Sequence, residues 1–437
     1  MSAASQAKRM GGDDLEVVAV ERGRWTSYSA CGIPYWLGGE VDRREDLIAR
    51  TPEQHRANGI DVRLGCEAVE LDTAASVVTV RDAESGECTR LRYDEVLVAT
   101  GSRPVRPNLP GIDGGGVFGV HTLDDGQRIL AALASPRTPR CAAVVGGGYI
   151  GVEVAEALVR RGLAVTLVEQ AAEPMSVLDP DLGRVVRAAM EEVGVRVRVG
   201  TAVTGFEVDG DGWVRGVGTV DGTVVADLVA LGIGVQPEVD LAAAAGLPIG
   251  EHGGVRTDAR MAVAPGVWAA GDCVEVRDRV LDRWVRVALG THANKQGRVV
   301  GINVGGGDAA FGGVVGTAIT RFDRLEAART GALPAEARAA GLDVVTETVE
   351  TTTHAGYLPD AEPMTVRMVA ERGCGRVVGA QIVGGAGAAK RIDVCALAVW
   401  TRMSVAELAM SDLAYAPPYS SVWDPVQVAA RALCAEV

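Results

Sequence analysis

Long hydrophobic runs are missing from this sequence. No apolar stretch approaches the roughly 18 residues that a membrane-spanning helix requires, and residues 1–10 lack the apolar core of a secretory signal peptide. These absences exclude an integral membrane protein. We therefore predict a cytoplasmic protein that does not act on membranes.

An excess of positive charge is also missing. The chain has 43 lysines and arginines against 57 aspartates and glutamates, which gives a formal net charge of −14. Only Lys8, Lys295 and Lys390 are lysines, and the arginines are scattered among acidic residues. Because binding to nucleic acid relies on basic patches that displace counterions from phosphates, nucleic acid is excluded as a partner.

Paired cysteines of the CxxC type do not occur. The eight cysteines have irregular spacings in a chain of 437 residues, which fits neither a disulfide framework nor a zinc site. We expect reduced and mostly buried cysteines, and no metal site.

The sequence is rich in glycine and poor in aromatic residues. It has 56 glycines and 4% aromatic residues, within an ordinary globular composition of 48% hydrophobic and 23% charged residues. A chain of this length forms about two to four domains. The many glycines indicate many close backbone approaches, which α/β sheets that bind nucleotides need at their phosphate turns.

A complete strand–turn–helix–strand pattern lies near the middle of the sequence. Residues 141–145 predict a buried parallel strand, and Gly146, Gly148 and Gly151 follow in GxGxxG spacing. A helix and a second strand, residues 164–168, complete the unit. In such units backbone N–H groups of the glycine turn bind a pyrophosphate at the helix N-terminus, so the pattern predicts dinucleotide binding.

Glu169 ends the second strand of this unit. An acid at this place accepts hydrogen bonds from the ribose hydroxyls. Its charge would repel a 2′-phosphate, so NADH is favoured over NADPH.

The N-terminal residues contain part of a second unit of this kind. Residues 2–10 predict a helix and residues 15–20 a strand that ends at Glu21, but no strand and no glycine turn precede the helix. Residues 94–104 and 266–274 predict further strands that run into glycine turns, where α/β sheets bind ligands.

The pattern changes after about residue 312. Residues 343–350 and 364–370 alternate like antiparallel strands, and residues 390–403 and 425–433 have helical periodicity. This predicts a separate C-terminal α+β domain.

Four motifs together carry a resemblance to a known family. They are residues 27–35 (SYSACGIPY), 99–104 (ATGSRP), 146–151 (GGGYIG) and 269–273 (AAGDC). The sequence resembles the flavoprotein disulfide reductases, in the single-cysteine branch that holds coenzyme A-disulfide reductase, NADH oxidase and NADH peroxidase. The Cys-Gly-x-Pro-Tyr portion and residues 415–419 (YAPPY) are more similar to the coenzyme A-disulfide reductases.

The resemblance implies a homodimer with an α/β fold, in which two Rossmann-like domains bind FAD and NAD(P) and a C-terminal α+β domain dimerises. The implied division is an N-terminally incomplete FAD-binding part at residues 1–135, an NAD(P)-binding domain at 136–235, a second FAD-binding part at 236–311 and a dimerisation domain at 312–437.

The resemblance also implies cofactor contacts. Asp272 would hold the flavin ribitol, Glu21 the adenosine ribose, and a helix N-terminus near Ala293 the pyrimidine end of the flavin. The other implied contacts are Arg22, Thr100, Gly101, Arg103, Tyr149, Ile150, Gly234 and Gly271.

Cys31 is the predicted chemical centre. It follows Ser27 at a loop-to-helix transition, where the positive end of a helix would lower the pKa of the thiol. The other seven cysteines are expected to be small buried hydrophobes. Trp36 stands where dithiol members have their second cysteine, and no histidine follows His354, so the resemblance implies a Cys31 mixed disulfide or sulfenic acid.

The departing thiolate needs a proton. Tyr357 and Tyr415 match tyrosines that coenzyme A-disulfide reductases bring across the dimer interface, and Tyr419 could share the role of Tyr415. For Tyr357 the alternative is ordinary surface packing.

Substrate contacts are implied for Gln6, Arg9 and Ser27, which would hold the pantetheine and nucleotide phosphate of coenzyme A. For Gln6 and Arg9 the alternative is a solvated helix face. His292 is a further candidate, with a helix cap or a hydrogen-bonded core histidine as its alternative.

Two positions depart from the family pattern. Ala30 stands where asparagine often precedes the cysteine, and Trp423 where a lysine is expected. These departures leave the substrate more open than the reaction type.

The predicted function is therefore reduction of a small disulfide, coenzyme A disulfide, by NAD(P)H through FAD and a Cys31 mixed disulfide. The alternatives are an NADH oxidase or peroxidase that uses a Cys31 sulfenic acid, and a persulfide or polysulfide reductase. Because no first strand or FAD glycine turn precedes the first helix, a further hypothesis is a truncated chain that binds FAD poorly and is not an enzyme.

Overall fold

The computed structural model describes residues 1–437, and none of its helices has the length and apolar character needed to cross a bilayer. The N-terminal part contains α1 (Ser2–Gly11), β1 (Val17–Glu21), α2 (Ile33–Gly38), α3 (Pro52–Ala57), β2 (Ile60–Leu64), β3 (Cys66–Asp72), β4 (Val77–Asp82), β5 (Cys88–Arg92), β6 (Val96–Val98), β7 (Ser102–Pro104), β8 (Val117–Gly119) and α4 (Leu123–Leu133).

The middle part contains β9 (Cys141–Val145), α5 (Tyr149–Arg160), β10 (Ala164–Val168), α6 (Pro180–Glu192), β11 (Arg196–Arg198), β12 (Val203–Val208), β13 (Val214–Thr219), β14 (Gly222–Val225), β15 (Leu228–Leu231), β16 (Val235–Pro237), α7 (Asp240–Ala244), β17 (Val255–Arg256), β18 (Ala262–Ala264), β19 (Val267–Ala269), β20 (Val274–Asp278), β21 (Arg283–Val285) and α8 (Gly290–Val304). The C-terminal part contains β22 (Ala318–Phe322), β23 (Leu325–Gly331), α9 (Pro334–Ala339), β24 (Val344–Thr352), β25 (Pro363–Glu371), β26 (Val377–Gly384), α10 (Ile392–Thr401), α11 (Val405–Ala409) and α12 (Pro425–Leu433).

The middle of the chain forms a parallel sheet in the order β11-β10-β9-β15-β8. Four of the five residues of β9 and all four of β15 are buried, as expected for central strands covered on both faces. Strand β9, the glycine turn, α5 and β10 are the predicted strand–turn–helix–strand unit, so this prediction is confirmed.

The N-terminal region has several small sheets. Strand β1 pairs in parallel only with β2, and β6 pairs only with β19. Helix α1 lies directly on α8, where Cβ atoms at Gly297 and Gly301 would fall 3.2 Å and 2.5 Å from backbone atoms of Ala3. The predicted helix at residues 2–10 and the strand ending at Glu21 are both present. The predictions about a missing first strand and weak FAD retention stay predictions.

The C-terminal part is an antiparallel sheet in the order β22-β23-β26-β25-β24, with α10 and α12 packed on it. Every residue of β26 is buried. The predicted strands and the predicted helix at 425–433 match β24, β25 and α12 within two residues. The α+β class of this part is therefore confirmed.

A buried polar network joins the middle sheet region to the C-terminal sheet. Gln381, which is 1% exposed, accepts a hydrogen bond from the backbone N of Asp179 at 2.7 Å and donates to its carboxylate at 2.8 Å. Arg367 binds the carboxylates of Asp179 and Asp181 at 2.9 and 2.6 Å. These contacts fix the start of α6 against β25 and β26.

The cysteines are less buried than predicted. All eight are free, but only Cys273 and Cys395 are buried, whereas Cys31, Cys88, Cys374 and Cys434 are exposed and Cys66 and Cys141 are intermediate. The expectation of mostly buried cysteines is wrong because three of the exposed ones lie on an edge strand (β5), in the turn after β25 and just beyond α12.

Candidate active site

The three glycines of the GxGxxG turn have different surroundings. A Cβ at Gly146 (φ 97°) would lie 2.6 Å from the carbonyl O of Gly232, and one at Gly151 would lie 1.9 Å from the carbonyl O of Gly146. A Cβ at Gly148 would meet nothing within 4 Å. Gly146 and Gly151 are therefore required by close packing of the chain itself, whereas Gly148 borders open space at the start of α5.

The start of α5 is suited to bind an anion. Gly148 is its N-cap, and no side chain caps the first N–H groups of the helix. These N–H groups and the helix dipole point toward the open side of Gly148, as a dinucleotide pyrophosphate requires. Tyr149 and Ile150 follow in the first turn of the helix, and burial raises the pKa of Tyr149 to about 12.

The carboxylate of Glu169 lies beside this turn. It accepts hydrogen bonds from the backbone N of Gly147 at 2.5 Å and of Ala171 at 2.6 Å. These bonds orient the carboxylate at the end of β10, where the predicted ribose contact belongs. They also add a fixed negative charge to this edge of the sheet.

Cys31 lies in a 3₁₀ turn, residues 30–32, which leads into α2. The preceding loop is held by an antiparallel bridge between Tyr28 and Ile48 and by a hydrogen bond from the N of Ser29 to the O of Leu47 at 2.8 Å. Cys31 is exposed, and Trp36, five residues further on, is a buried side chain of α2. No second thiol therefore lies on this turn or on α2.

The predicted direction of the Cys31 pKa shift is wrong. Desolvation by surrounding protein atoms raises the pKa of the Cys31 thiol, and the negative charges of Glu153 and Asp272 raise it further, against a hydrogen bond with its own backbone. The 3₁₀ turn is a short element with a weak dipole, so desolvation of the thiol and the nearby carboxylates outweigh the effect that the sequence predicted.

Glu153 is a functional candidate that the sequence reading missed. It lies in the first half of α5 and accepts a hydrogen bond from the hydroxyl of the buried Thr320 at 2.9 Å. Burial, together with the charge of Glu156, raises the pKa of Glu153 to about 7, against the opposing effects of Thr320 and Arg321. A group that titrates near neutral pH beside a reactive thiol can hold or release a proton there.

Asp272 and the start of α8 form a second polar centre. Ser102 donates a hydrogen bond to Asp272 at 3.1 Å, and burial raises the pKa of Asp272. The buried Gln296 accepts from the backbone N of Gly271 at 2.7 Å. A Cβ on Gly271 would lie 3.8 Å from the Cβ of Ala293, so the start of α8 is close to this glycine turn.

His292 lies in the first turn of α8. Burial and the charge of Lys295 lower its pKa, and its buried Nδ1 atom has no hydrogen-bond partner. Whether His292 contacts substrate, caps the helix or is a core histidine stays a prediction.

The other predicted cofactor residues lie at strand ends and in turns. Thr100 donates to the carbonyl O of Glu238, and Arg103 pairs with Glu238 and Asp240 at 3.3 and 3.1 Å. Gly101 and Gly234 have positive φ angles of 74° and 89°. Glu21 accepts from the backbone N of Gly23, and Arg22 pairs with Glu67 at 3.6 Å.

The comparisons with known proteins identify the family. The family model described as "Pyridine nucleotide-disulphide oxidoreductase" matches residues 1–297, and the model of its dimerisation domain matches residues 317–426. The chain belongs to this family. The predicted family and fold class are thereby confirmed, and this pyridine nucleotide-disulphide oxidoreductase is an enzyme whose cofactors are FAD and NADH or NADPH.

Similar proteins carry several names. A protein of Methanocaldococcus jannaschii named NADH oxidase is 34% identical, over 96% of this chain and 93% of its own. An NAD(P)H sulfur oxidoreductase (CoA-dependent) of Pyrococcus abyssi is 33% identical, over 99% of this chain and 95% of its own. The structure of an NAD-dependent persulfide reductase from A. fulgidus superposes with a TM-score of 0.96 at 35% identity, over 100% of this chain and 81% of that one.

The residues of this oxidoreductase fit both the flavin part and the adenosine ribose of FAD. The partly buried carboxylate of Asp272 can accept hydrogen bonds from a polyhydroxyl chain, and the uncapped start of α8 offers N–H groups beside Gly271. Glu21, at the end of β1, has the position of a ribose acceptor. Helix α1 starts at Ser2, and no glycine turn precedes it within residues 1–437.

Gln6 and Arg9 lie together on α1, and Arg298 of α8, which the sequence did not reveal, approaches the same place. The side-chain oxygen of the buried Gln6 accepts from Arg9 at 3.2 Å and from Arg298 on α8 at 3.0 Å. Neither arginine has a carboxylate within 4.0 Å among the ion pairs of the structure. Arg298 was not identifiable from spacing because α1 and α8 are almost 300 residues apart in sequence.

Ser27 binds another histidine that the sequence reading missed. Its hydroxyl lies 2.8 Å from Nε2 of His55, which is 2% exposed. His55 lies on α3, whose start is fixed by a capping box between Thr51 and Gln54.

The three predicted catalytic tyrosines are all surface residues of the single chain. Tyr357, Tyr415 and Tyr419 are 75%, 49% and 77% exposed. They share the C-terminal part with other exposed apolar residues, namely Leu397, Trp400, Met410, Val422 and Trp423. Exposed large apolar side chains of this kind, where they are contiguous, mark surfaces that associate with a partner.

Proposed function

We propose that this oxidoreductase reduces a small-molecule disulfide, coenzyme A disulfide, through Cys31. The observation that carries the proposal is that Cys31 is exposed and has no second thiol on its turn or on α2. The resemblance of residues 27–35 to coenzyme A-disulfide reductases supports this substrate. The CoA-dependent sulfur oxidoreductase among the relatives supports it as well.

The chemistry is a thiol–disulfide exchange. The Cys31 thiolate attacks one sulfur of the disulfide, the substrate S–S bond breaks, a Cys31 mixed disulfide forms, and the departing thiolate takes a proton. FAD, when bound, supplies the transfer of two electrons from the nicotinamide toward sulfur. Overall, one disulfide, one NADH and one proton give two thiols and NAD⁺.

Protons are supplied by residues of this chain. Glu153, with a pKa of about 7, is one group that can exchange a proton beside Cys31. We further propose that the chain is a homodimer in which a second copy covers the tyrosine-bearing face, and that Tyr357, Tyr415 or Tyr419 then approaches the partner's site. The matched dimerisation domain at residues 317–426 supports this arrangement.

NADH is the proposed electron donor in preference to NADPH. The support is the carboxylate of Glu169, which two backbone N–H groups hold beside the glycine turn. A 2′-phosphate at this edge would meet its negative charge.

NADH oxidase activity is the second candidate function. It is favoured by the name of the relative from Methanocaldococcus jannaschii and by the exposure of Cys31. In that reaction the sulfur would become a sulfenic acid, with oxygen or peroxide as the acceptor.

Steady-state kinetics separate the two functions. We expect NADH consumption by the flavin-loaded protein to depend on added coenzyme A disulfide and to continue without oxygen, with two thiols formed per NADH. Rapid NADH consumption in air, accompanied by oxygen uptake and indifferent to the disulfide, would contradict the proposal and establish the oxidase.

A further inference from the structure

Arg391 makes hydrogen bonds to both segments that carry the proposed catalytic tyrosines. Its side chain is 13% exposed and lies at the start of α10. The Nη2 group donates to the carbonyl O of Thr353 at 2.6 Å and to that of Tyr419 at 2.5 Å. Thr353 begins the loop between β24 and β25, which contains Tyr357, whereas Tyr419 belongs to residues 415–419. One guanidinium group therefore bridges two segments that are distant in sequence.

Further contacts fix the guanidinium group itself. Its Nε donates to Asp424, whose side chain is 14% exposed, at 3.3 Å, and its Nη1 donates to the carbonyl O of Gly387 at 2.8 Å. The Asp424 carboxylate also accepts from the hydroxyl of the buried Ser420 at 3.0 Å and from the backbone N of Val426 at 2.9 Å. Because a guanidinium is planar and its N–H groups have fixed directions, the two carbonyl groups that share Nη2 are held in fixed positions relative to each other.

A direct hydrogen bond between the two segments adds to this bridge. The backbone N of Ala355 donates to the carbonyl O of Pro417 at 3.1 Å. The side chains of Tyr357 and Tyr419, by contrast, are 75% and 77% exposed, so packing within the chain does little to fix them. The positions of their hydroxyl groups therefore depend on the backbone contacts that hold the two segments.

We propose that Arg391 is a positioning residue that holds the Tyr357 loop, residues 353–362, and residues 415–419 together, so that their tyrosine hydroxyls reach the substrate disulfide as one group. The inference rests on the proposed function. One tyrosine hydroxyl gives its proton to the departing thiolate sulfur, which leaves as a thiol, and the tyrosine is reprotonated from water. The donor must lie within hydrogen-bond reach of the sulfur, so its displacement slows the reduction of the disulfide. The start of α5, where we expect the dinucleotide, contains none of these residues.

The test measures the two halves of the reaction separately in the flavin-loaded protein. Arg391→Lys keeps a cation beside Asp424 but loses the planar fork that binds both carbonyl groups. Reoxidation of the NADH-reduced protein by coenzyme A disulfide is expected to slow about tenfold, because a displaced proton donor is less effective. Reduction of FAD by NADH keeps its parent rate. Stopped-flow absorbance of the flavin measures both rates.

Arg376→Lys is the matched control. The side chain of Arg376 is 15% exposed and pairs with Glu371 at 3.0 Å, and it forms no hydrogen bond with the Tyr357 loop or with residues 415–419. Both rates should equal those of the parent protein.

A second test variant removes the fork without leaving a buried charge unpaired. Arg391→Met/Asp424→Asn deletes both charges of the pair and keeps a side chain that can cap α12. This variant should slow reoxidation as much as Arg391→Lys does.

Combination with tyrosine variants tests whether Arg391 acts through the tyrosines. The triple variant Tyr357→Phe/Tyr415→Phe/Tyr419→Phe should itself be reoxidised more slowly, and adding Arg391→Lys to it should slow reoxidation by no more than about twofold. The inference is overturned if Arg391→Lys leaves reoxidation unchanged, slows the reduction of FAD equally, or slows the triple variant as much as the parent protein. A triple variant that is reoxidised at the parent rate overturns it as well.

If coenzyme A disulfide does not reoxidise the parent protein, the proposed function fails, and hydrogen–deuterium exchange then decides the inference. Peptides that contain Ala355 and peptides that contain Tyr419 should both exchange faster in Arg391→Lys than in the parent protein and in Arg376→Lys. Exchange that stays unchanged in either segment overturns the inference.

Discussion

At the scale of single residues, the surroundings of Cys31 differ most from what its local sequence predicted. Desolvation of the thiol and, after it, the charges of Glu153 and Asp272 raise its pKa, where the sequence predicted a decrease. Side chains that approach from α5 and from the turn after β19 were invisible in the local sequence of the Cys31 turn. Glu153 in particular is 122 residues away along the chain.

Replacing Glu153 by glutamine tests this charge effect. Because the charge of Glu153 raises the pKa of the Cys31 thiol, Glu153→Gln should lower that pKa. The pH dependence of Cys31 alkylation by iodoacetamide, followed by mass spectrometry, measures it. The midpoint is expected to move to lower pH.

Glu156→Gln provides the control for this change. Glu156 lies on the same helix and pairs with Arg160 at 2.8 Å, and its charge does not contribute to the shift of the Cys31 pKa. A midpoint that moves equally in both variants, or that rises in Glu153→Gln, would disprove the assignment.

The lowered pKa of His292 predicts a pH-dependent stability. The folded protein binds fewer protons than the unfolded chain below pH 6.5, the ordinary pKa of histidine. The contribution of neutral His292 to the free energy of unfolding is therefore fully present above that pH, and it is lost as the pH drops toward the lowered pKa. Urea unfolding at the two pH values 7.5 and 5.5 measures this change. Between them, the free energy of unfolding should decrease less in His292→Gln than in the parent protein.

The exposed His252 is the control for this prediction. His252→Gln should show the same pH-dependent loss as the parent. An equal loss in the parent protein and in His292→Gln would mean that His292 does not carry the effect.

At the scale of secondary-structure elements, the glycine turn before α5 contains glycines with two different roles. We expect Gly148 to border the bound dinucleotide, whereas Gly151 is required by the packing of the chain. Gly148→Ala would fill the open space where we expect the pyrophosphate, while Gly151→Ala would drive a Cβ into the Gly146 carbonyl. Gly148→Ala should raise KM for NADH about tenfold or more and change stability by less than about 1 kcal/mol. Gly151→Ala should cost about 2 kcal/mol or more in urea unfolding.

The two glycine variants serve as controls for each other. If Gly148→Ala bound NADH as well as the parent protein, the start of α5 would not be the dinucleotide site.

Local patterns predicted the elements well where the pattern itself sets the structure. The strand at 141–145, the glycine turn and α12 were recognisable because burial, turn chemistry and helical periodicity are local properties. The 3₁₀ turn at Cys31 and the pairing of residues 27–29 with 47–49 were not, because they depend on a bridge between two irregular segments.

At the scale of the whole molecule, the network of Asp179, Gln381 and Arg367 joins two parts of the chain. Arg367→Met would leave the largely buried carboxylate of Asp179 without its cationic partner. We expect a loss of about 2–3 kcal/mol in the free energy of unfolding, because an unpaired buried charge is costly. Urea unfolding monitored by tryptophan fluorescence measures the change.

Arg324→Met is the matched control for Arg367→Met. Arg324 pairs with Glu362 at 2.6 Å, but its side chain is 79% exposed. Arg324→Met should therefore lower the free energy of unfolding by less than about 1 kcal/mol. Similar decreases in both variants would show that the network adds nothing beyond a surface ion pair.

The candidate site could be predicted only in part from the sequence. Cys31, Glu169 and the glycine turn were found because each belongs to a motif with a fixed local geometry. Arg298, His55 and Glu153 were not found, because each meets its partner through packing between distant helices and strands. The surface position of the tyrosines likewise followed only from the folded chain.

In the proposed reaction one sulfur atom, that of Cys31, exchanges with the substrate disulfide. Its most direct test is the anaerobic rate of NADH consumption with coenzyme A disulfide, measured on flavin-loaded protein before and after Cys31→Ser. We expect this rate to fall by about a thousandfold or more, since the nucleophile is removed, while NADH still binds with its parent affinity. Disulfide-dependent turnover that survives the substitution would contradict it.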